Sequence, residues 1–191
     1  MINEDSLKCK KVSGSMDKHH PIPNRIHIIG SIGSGKTTLA KVLSKQLNIP
    51  YYELDNVVRK RLKTGDIKRT DQERDEYLNS IISSNHWIVE GVHHKWVSPC
   101  FESADIIIFL ETNLSTRRFR IIKRYIKQKM GIEKSNYKPT FKILQTLYKY
   151  NTEFDTKSKP EIFDMLSPYK NKLVIIKSKD EMIDYLNKRG H

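Results

Sequence analysis

The chain has 191 residues, of which 37% are hydrophobic and 30% are charged, a composition typical of a folded globular domain rather than a disordered chain. No apolar run approaches the ~20 residues that a helix needs to cross a bilayer, so no membrane partner is expected. The first 24 residues are polar and lack the apolar segment of a secretory signal. We therefore predict a flexible extension over residues 1–24 and a single domain over residues 25–191.

The net charge of +13 is concentrated in one stretch of the chain. Between Arg117 and Lys149, 11 Lys and Arg residues stand against one acid, Glu133, which leaves a local charge of +10. Such a stretch attracts polyanions, whether nucleotides, nucleic acid or acidic lipid, and it is equally compatible with a solvated face of a basic protein. The two cysteines, Cys9 and Cys100, have no metal or redox spacing, which predicts a reducing, cytoplasmic setting.

The predicted elements alternate between short apolar strands and amphipathic helices. Strands are predicted at residues 25–29, 51–54, 87–90, 105–110 and 173–177. Helices are predicted at 36–47, briefly from 56, at 70–83, at 113–130, over most of 138–168, and after the Ser178 cap. Because the strands are apolar without a period of two, they are expected to be covered on both faces. The pattern predicts an α/β fold with a parallel sheet.

The sequence GSIGSGKT, residues 30–37, fits the pattern G-x-x-x-x-G-K-[ST] and lies between a predicted strand and a predicted helix. Glycines let this backbone turn sharply and approach phosphate closely, while N–H groups and the helix N-terminus face the anion. Lys36 is predicted to reach the β- and γ-phosphates, and the Thr37 hydroxyl to bind Mg²⁺. The predicted nucleotide-binding residues are Gly30, Ser31, Ile32, Gly33, Ser34, Gly35, Lys36, Thr37 and Thr38.

Phosphoryl transfer also needs an acid near the metal and an oriented acceptor. Glu90 ends the third predicted strand, at the sheet edge where ligands sit, and is predicted to hold Mg²⁺ through water. Glu111, at the end of the fourth strand, is a weaker candidate for the same metal-binding role. Asp55 ends the second strand, where it can accept a proton from a substrate hydroxyl or cap the following helix. Arg59 and Arg61 follow it and either bind an anionic acceptor or lie in solvent.

Within the basic stretch, the residue spacing predicts a helix with two different faces. One face carries Arg117, Arg120, Arg124 and Lys127, and the opposite face carries Phe119, Ile122, Ile126 and Met130. We expect the apolar face to dock and the other to present guanidinium groups, because planar Arg forks suit phosphate. Arg120 and Arg124 are the predicted charge-neutralising groups of the transfer step.

The order of these motifs resembles the small P-loop kinases, the group of adenylate, shikimate and uridine kinases. The resemblance is carried by IHIIGSIGSGKTTLA, YYELDNVV, RTDQERDEYLNSIISSNHWIVEGVHHKW, ADIIIFLETN, RFRIIKR and LSPYKNKLVIIKSKDEMIDYL. Taken together, over most of residues 25–187, these stretches look most like a bacterial branch of DNA topology modulation protein-related (FlaR-like) proteins.

The resemblance implies a P-loop NTPase fold, with a five-stranded parallel sheet in the order 2-3-1-4-5 and a mobile helical lid near residues 117–135. It implies ATP and Mg²⁺ as cofactors and a small-molecule phosphoryl acceptor as partner. By the same match, Lys36, Asp55, Arg120 and Arg124 carry the catalytic roles, and Thr37 and Glu90 hold the metal.

One departure from the resemblance concerns the acceptor. Adenylate kinases read Asp-Gly-x-Pro-Arg after the third strand, whereas this chain reads EGVHH, with His93 and His94 at the Pro and Arg positions. A neutral His is a weak phosphate ligand, so a hydroxyl-bearing acceptor gains weight over a nucleoside monophosphate; the histidines are otherwise interpreted as surface residues. Two alternatives stay open: a nucleotide-binding regulatory or DNA-associated protein, and an NTPase without an acceptor. The sequence does not specify ATP over GTP or an oligomeric state.

Overall fold

The computed structural model describes residues 22–62, 65–135 and 138–188. Most of the predicted extension, residues 1–21, lies outside these residues, and so does Cys9. The five strands of the main sheet are β1 (Arg25–Gly30), β2 (Tyr51–Glu53), β3 (Trp87–Gly91), β4 (Ile106–Leu110) and β5 (Leu173–Ile176). All neighbouring strands are parallel and their order is β2-β3-β1-β4-β5, which confirms the predicted order 2-3-1-4-5.

The helices follow the predicted alternation with the strands. They are α1 (Lys36–Leu47), α2 (Leu54–Val58), α3 (Asp71–Ile82), α4 (Ser98–Ser103), α5 (Leu114–Lys129), α6 (Phe141–Glu153), α7 (Lys159–Leu166) and α8 (Lys179–Asn187). A π-helical turn, Phe154–Ser158, joins α6 to α7. No helix in the described ranges is long and apolar enough to cross a membrane.

Side-chain caps explain where several helices begin. Thr70 and Glu73 form a reciprocal capping box at the start of α3. Asn113 accepts a hydrogen bond from the Thr116 amide at the start of α5, and Ser178 does the same at α8. Each cap satisfies a backbone N–H that has no partner inside its helix.

Two apolar clusters lie on opposite faces of the main sheet. Along β4, Ile106 and Ile108 belong to the cluster under α1 and α8, whereas Ile107 and Phe109 belong to the cluster under α3, α4 and α7. Successive strand side chains point to opposite faces, so both faces of this strand are covered. This burial explains why the strands read as continuous apolar runs.

The segment after β2 differs from the prediction. The helix, which was predicted to begin at residue 56, begins at Leu54 and ends at Val58, and Arg59–Lys60 then pairs antiparallel with Ile67–Lys68. The Arg69 guanidinium donates to the carbonyl oxygens of Asn56 and Val57, at 2.7 Å and 3.1 Å. These bonds satisfy the last carbonyls of α2 and so stabilise its early end.

Candidate functional site

The loop between β1 and α1 has the backbone geometry of an anion cradle. Gly33 and Gly35 have φ values of 77° and 106°, a region that side-chain-bearing residues rarely adopt. A Cβ added at Gly33 would lie 2.8 Å from the Arg117 carbonyl oxygen. Gly35 is the N-cap of α1 and offers no side-chain cap, so the first N–H groups of this helix face the loop without a capping oxygen. The arrangement fits a bound phosphate.

Polar groups inside the cradle support the same conclusion. The hydroxyl oxygens of Ser31 and Ser34 are buried and have no protein hydrogen-bond partner within the described residues. Lys36 is buried and its Nζ donates to the Ser31 carbonyl oxygen at 2.9 Å. Burial lowers the pKa of Lys36, although the nearby carboxylates of Glu90 and Asp55 oppose this shift. An anion at the cradle would give this amine a counter-charge.

Thr37 and Glu90 form a pair that fits a magnesium ion. The Thr37 hydroxyl donates to Glu90 Oε1 at 2.5 Å, and Glu90 is buried at the carboxyl edge of β3. Burial raises the pKa of Glu90, while Lys36 and the hydrogen bond from Thr37 lower it in part. The described residues contain no group of three or more His, Cys, Asp or Glu side chains placed to hold a metal ion. Mg²⁺ usually keeps several waters and binds phosphate oxygens, so one hydroxyl and one carboxylate are sufficient protein partners.

Two other acids at strand ends, Glu111 and Asp105, form ion pairs away from the magnesium site. Glu111 forms an ion pair with Lys159 of α7. Asp105 lies at the opposite edge of the sheet, where its carboxylate accepts hydrogen bonds from Arg25. A cavity of about 800 Å³ opens at that same edge. Arg25, Asp105 and Lys172 line the cavity, and their charged groups already bind one another or backbone carbonyls.

Helix α5 docks with the face opposite to the predicted one. Arg117 is 2% exposed and donates to Asp155 Oδ2 at 2.5 Å, and Arg120 Nη1 donates to the Ser34 carbonyl oxygen at 2.6 Å. Phe119 and Ile126, which were expected to dock, are exposed. The prediction is wrong because the docked side is the one that buries Ile121 beside Gly33 and places Arg117 and Arg120 at their partners.

Arg124 of the same helix is half-buried, and its positive charge adds to burial in lowering the pKa of Lys36. Asn151 of α6 also contacts the cradle, donating from Nδ2 to the Ile32 carbonyl oxygen at 2.8 Å. Neither the role of Asn151 nor the contact between Arg117 and Asp155 was predicted from the sequence. No short motif indicates these two contacts, because the partner of Asn151 is a backbone oxygen and the partner of Arg117 is a carboxylate far along the chain.

The other half of the site lies around Asp55. This residue is in the first turn of α2, where Glu53 occupies the N-cap position, so of the two interpretations of Asp55 the helix cap is wrong. Its exposed carboxylate lies 3.3 Å from His93 Nε2. This hydrogen bond is the largest cause of the lowered pKa of Asp55. His93 is partly buried against the Trp96 ring, at 5.3 Å between centroids, rather than free in solvent.

The two arginines after Asp55 have different surroundings. Arg61 Nε donates to Asn56 Oδ1 at 2.8 Å, and its guanidinium also forms an ion pair with Asp66. Arg59 is exposed on the two-stranded ribbon. The second histidine, His94, has its own partner, with its Nε2 lying 3.0 Å from Glu161 Oε2.

A phosphate cradle after the first strand, an acid on the adjacent strand and arginines above the loop define the class of P-loop nucleotide-binding proteins. Residues 26–138, more than half of the chain, match the AAA domain family (AAA_18), and the chain belongs to this family.

Two curated kinases share short segments with the chain. It is 39% identical over 61 residues to an adenylate kinase of Wigglesworthia glossinidia brevipalpis, covering 32% of this chain and 29% of the relative. It is 51% identical over 37 residues to a shikimate kinase of Aquifex aeolicus (strain VF5), covering 19% and 22%. The chain thus spans less than a third of the length of either relative. A solved structure of shikimate kinase from Acinetobacter baumannii in complex with shikimate shares the fold, with a TM-score of 0.50, 16% identity and coverage of 87% and 94%.

Proposed function

We propose that this protein is a small-molecule kinase that transfers the γ-phosphoryl group of ATP to a hydroxyl group of a small acceptor. One observation carries the proposal: Lys36, the Thr37–Glu90 pair and Arg120 converge on the cradle, at the sheet edge that also carries Asp55. The similarity of the chain to adenylate and shikimate kinases supports it.

In this proposal the chain's own groups position and stabilise the reacting phosphoryl group. The amides of residues 30–38 hold the phosphates, and Lys36 exchanges the Ser31 carbonyl for phosphate oxygens. Thr37 and Glu90 hold Mg²⁺, which when bound neutralises charge on the phosphate oxygens. Arg120 and Arg124 supply further positive charge where it develops in the transition state.

Asp55 is the proposed general base. The carboxylate accepts the proton of the acceptor hydroxyl as the new O–P bond forms, and the bond to the leaving phosphate oxygen breaks. Because hydrogen bonding to His93 lowers the pKa of Asp55, the carboxylate stays ionised at neutral pH. His93 acts through Asp55, as a positioning residue that fixes the carboxylate.

The surroundings of Asp55 favour a hydroxyl-bearing acceptor, such as a nucleoside or sugar, over a nucleoside monophosphate. Arg61 is already bound to Asp66 and Asn56, and the two residues after Gly91-Val92 are histidines. The same proposal includes three points that rest on the sequence. They are a single cytoplasmic domain over residues 25–191, a mobile lid near residues 117–135, and membership of the FlaR-like branch.

The test is ³¹P NMR of ATP and Mg²⁺ with the full-length protein and a pool of nucleosides, nucleoside monophosphates and sugars, beside Lys36→Ala. A new phosphate ester in the wild type alone supports the proposal, and splitting the pool names the acceptor. ATP that stays intact, or that is lost only slowly to free phosphate, contradicts it. That outcome would favour the nucleotide-binding regulatory or DNA-associated alternative.

A further inference from the structure

Helix α5 carries an exposed apolar surface on the side that faces away from the cradle. Phe119, Ile122, Ile126 and Met130 are 64%, 39%, 49% and 67% exposed. Their spacing of three, four and four residues aligns them along one side of the helix. We call these four residues the α5 stripe. Large apolar side chains grouped in this way are uncommon on a protein surface and usually mark a contact site.

Basic residues border the stripe on both sides. With about 100° between successive residues of an α-helix, Lys123 falls on one side of the stripe and Lys129 on the other. Both lysines are exposed, and helix α5 contains no acidic residue. An apolar centre with cationic edges requires a partner that is itself apolar in the middle and negatively charged around it.

The charge distribution argues against two other partners. A second copy docked stripe to stripe would bring two stretches of +10 together without an acid in either α5 helix to offset them. Nucleic acid would satisfy the lysines through its phosphates, yet it would leave the isoleucine and methionine side chains against a hydrated backbone. An anionic lipid surface offers both headgroup phosphates and a hydrocarbon boundary.

We propose that the α5 stripe docks on an anionic lipid surface, with helix α5 lying in the headgroup plane. The stripe enters the acyl boundary, and Lys123 and Lys129 extend back to the phosphates. The opposite face of α5 keeps its contacts, including that of Arg120 with Ser34, so the cradle stays on the protein side of the helix. The earlier expectation of no membrane partner rested on spanning length, which does not bear on surface docking.

The first experiment is co-sedimentation of the full-length protein with vesicles of phosphatidylcholine alone, or of phosphatidylcholine and phosphatidylglycerol in equal parts. We expect binding to the second kind only. The double variant Phe119→Ser with Ile126→Ser should bind about 10- to 100-fold more weakly, since two apolar side chains no longer leave water. The matched control is Leu62→Ser with Ile67→Ser, which removes two exposed apolar side chains elsewhere and should bind like wild type.

The charged border is tested separately. Lys123→Gln and Lys129→Gln should each weaken binding to the phosphatidylglycerol vesicles about fivefold. Raising NaCl from about 0.1 M to about 1 M shortens the Debye length from about 10 Å to about 3 Å and should release the protein. Circular dichroism melting and ATP binding of each variant check that helix α5 still holds its place.

Four results would overturn the proposal. One is the absence of sedimentation with phosphatidylglycerol vesicles, and another is undiminished binding by the folded stripe variant. The third is a wild-type dimer in light scattering that the stripe variant converts to monomer, which would assign the stripe to a second copy. Binding of duplex DNA that outcompetes the vesicles and depends on the lysines but not on the stripe would likewise reject it.

Discussion

In the nucleotide half of the candidate site, residues 30–38 with Glu90, backbone groups and buried side chains make most of the contacts. In the acceptor half, around Asp55 and His93, the contacts are between exposed or partly exposed side chains. The backbone geometry of the cradle loop depends on a few glycines in a fixed order, so a short sequence motif can predict it. Contacts between side chains can be formed by many different pairs of residues. The acceptor half can therefore change its chemistry while the nucleotide half keeps the same glycine-dependent backbone.

The largest effect is expected in the nucleotide half, from Lys36→Ala. Removing the buried amine takes away a charge aimed at the transferring phosphoryl group, so kcat should fall about 10³-fold. The control is Lys41→Ala, an exposed lysine on the same helix, which should keep full activity. Equal rates for Lys36→Ala and wild type, measured by coupled ADP release with the identified acceptor, would remove the nucleotide half from the mechanism.

Arg120→Ala is expected to reduce kcat by about 10²-fold, because the guanidinium next to the Ser34 carbonyl is lost. Arg118→Ala is a matched control on the same helix, since Arg118 donates to Thr152 and does not contact the cradle loop. Steady-state kinetics of both variants distinguish a charge acting at the cradle from the general basicity of α5. Similar losses in the two would refute the specific role of Arg120.

In the acceptor half, Asp55→Asn should lower kcat about 10²-fold and leave ATP affinity nearly unchanged, because the amide cannot accept the hydroxyl proton. Asp75→Asn, at an exposed carboxylate of α3, is the control. Isothermal titration with ATP separates binding from turnover. A large loss of ATP affinity in Asp55→Asn would mean that the two halves are not separate.

His93→Asn should lower kcat about two- to tenfold, as expected when one hydrogen bond is lost. Hydrogen bonding to His93 lowers the pKa of Asp55, so removing the imidazole lets that pKa rise. The acid limb of the pH–rate profile should therefore move to higher pH. His94→Asn is the control, since His94 pairs with Glu161 instead. A uniform decrease in rate without movement of the acid limb would point to a merely structural role.

The last prediction concerns folding stability at β1, beneath the nucleotide half. His27 of β1 is 0% exposed, neither ring nitrogen has a partner in the described structure, and burial lowers its pKa to about 3. Between about pH 6.5 and pH 3 the unfolded state binds a proton that the folded state does not, so stability falls as the pH falls. The loss approaches about 1.4 kcal/mol for each pH unit.

The His27 variant provides the check. His27→Leu should flatten the dependence of the free energy of unfolding on pH in that window, measured by urea denaturation at several pH values. His86→Leu, at an exposed ring just before β3, should leave the dependence in place. If the free energy of unfolding of the wild type did not fall in acid, the pKa of His27 in the folded protein would not be lowered.

Elements whose signals are local could be predicted from the amino-acid sequence alone. The P-loop, the five apolar strands and the caps at Thr70 and Ser178 were predicted from residues close together in the chain. The order of the sheet followed from the family resemblance and is confirmed. These features depend on backbone geometry and apolar periodicity, which neighbouring residues specify.

The docked face of α5, the end of α2 and the partner of His93 could not be predicted from the sequence. Each depends on groups far apart in sequence, namely Arg120 with Ser34, Arg69 with Asn56, and His93 with Asp55. The spacing of apolar residues predicts that a helix has an apolar side, but it does not show which groups from distant parts of the chain the helix will contact. The orientation of α5 follows from the burial of Ile121 beside Gly33, the ion pair of Arg117 with Asp155 and the hydrogen bond from Arg120 to the Ser34 carbonyl oxygen.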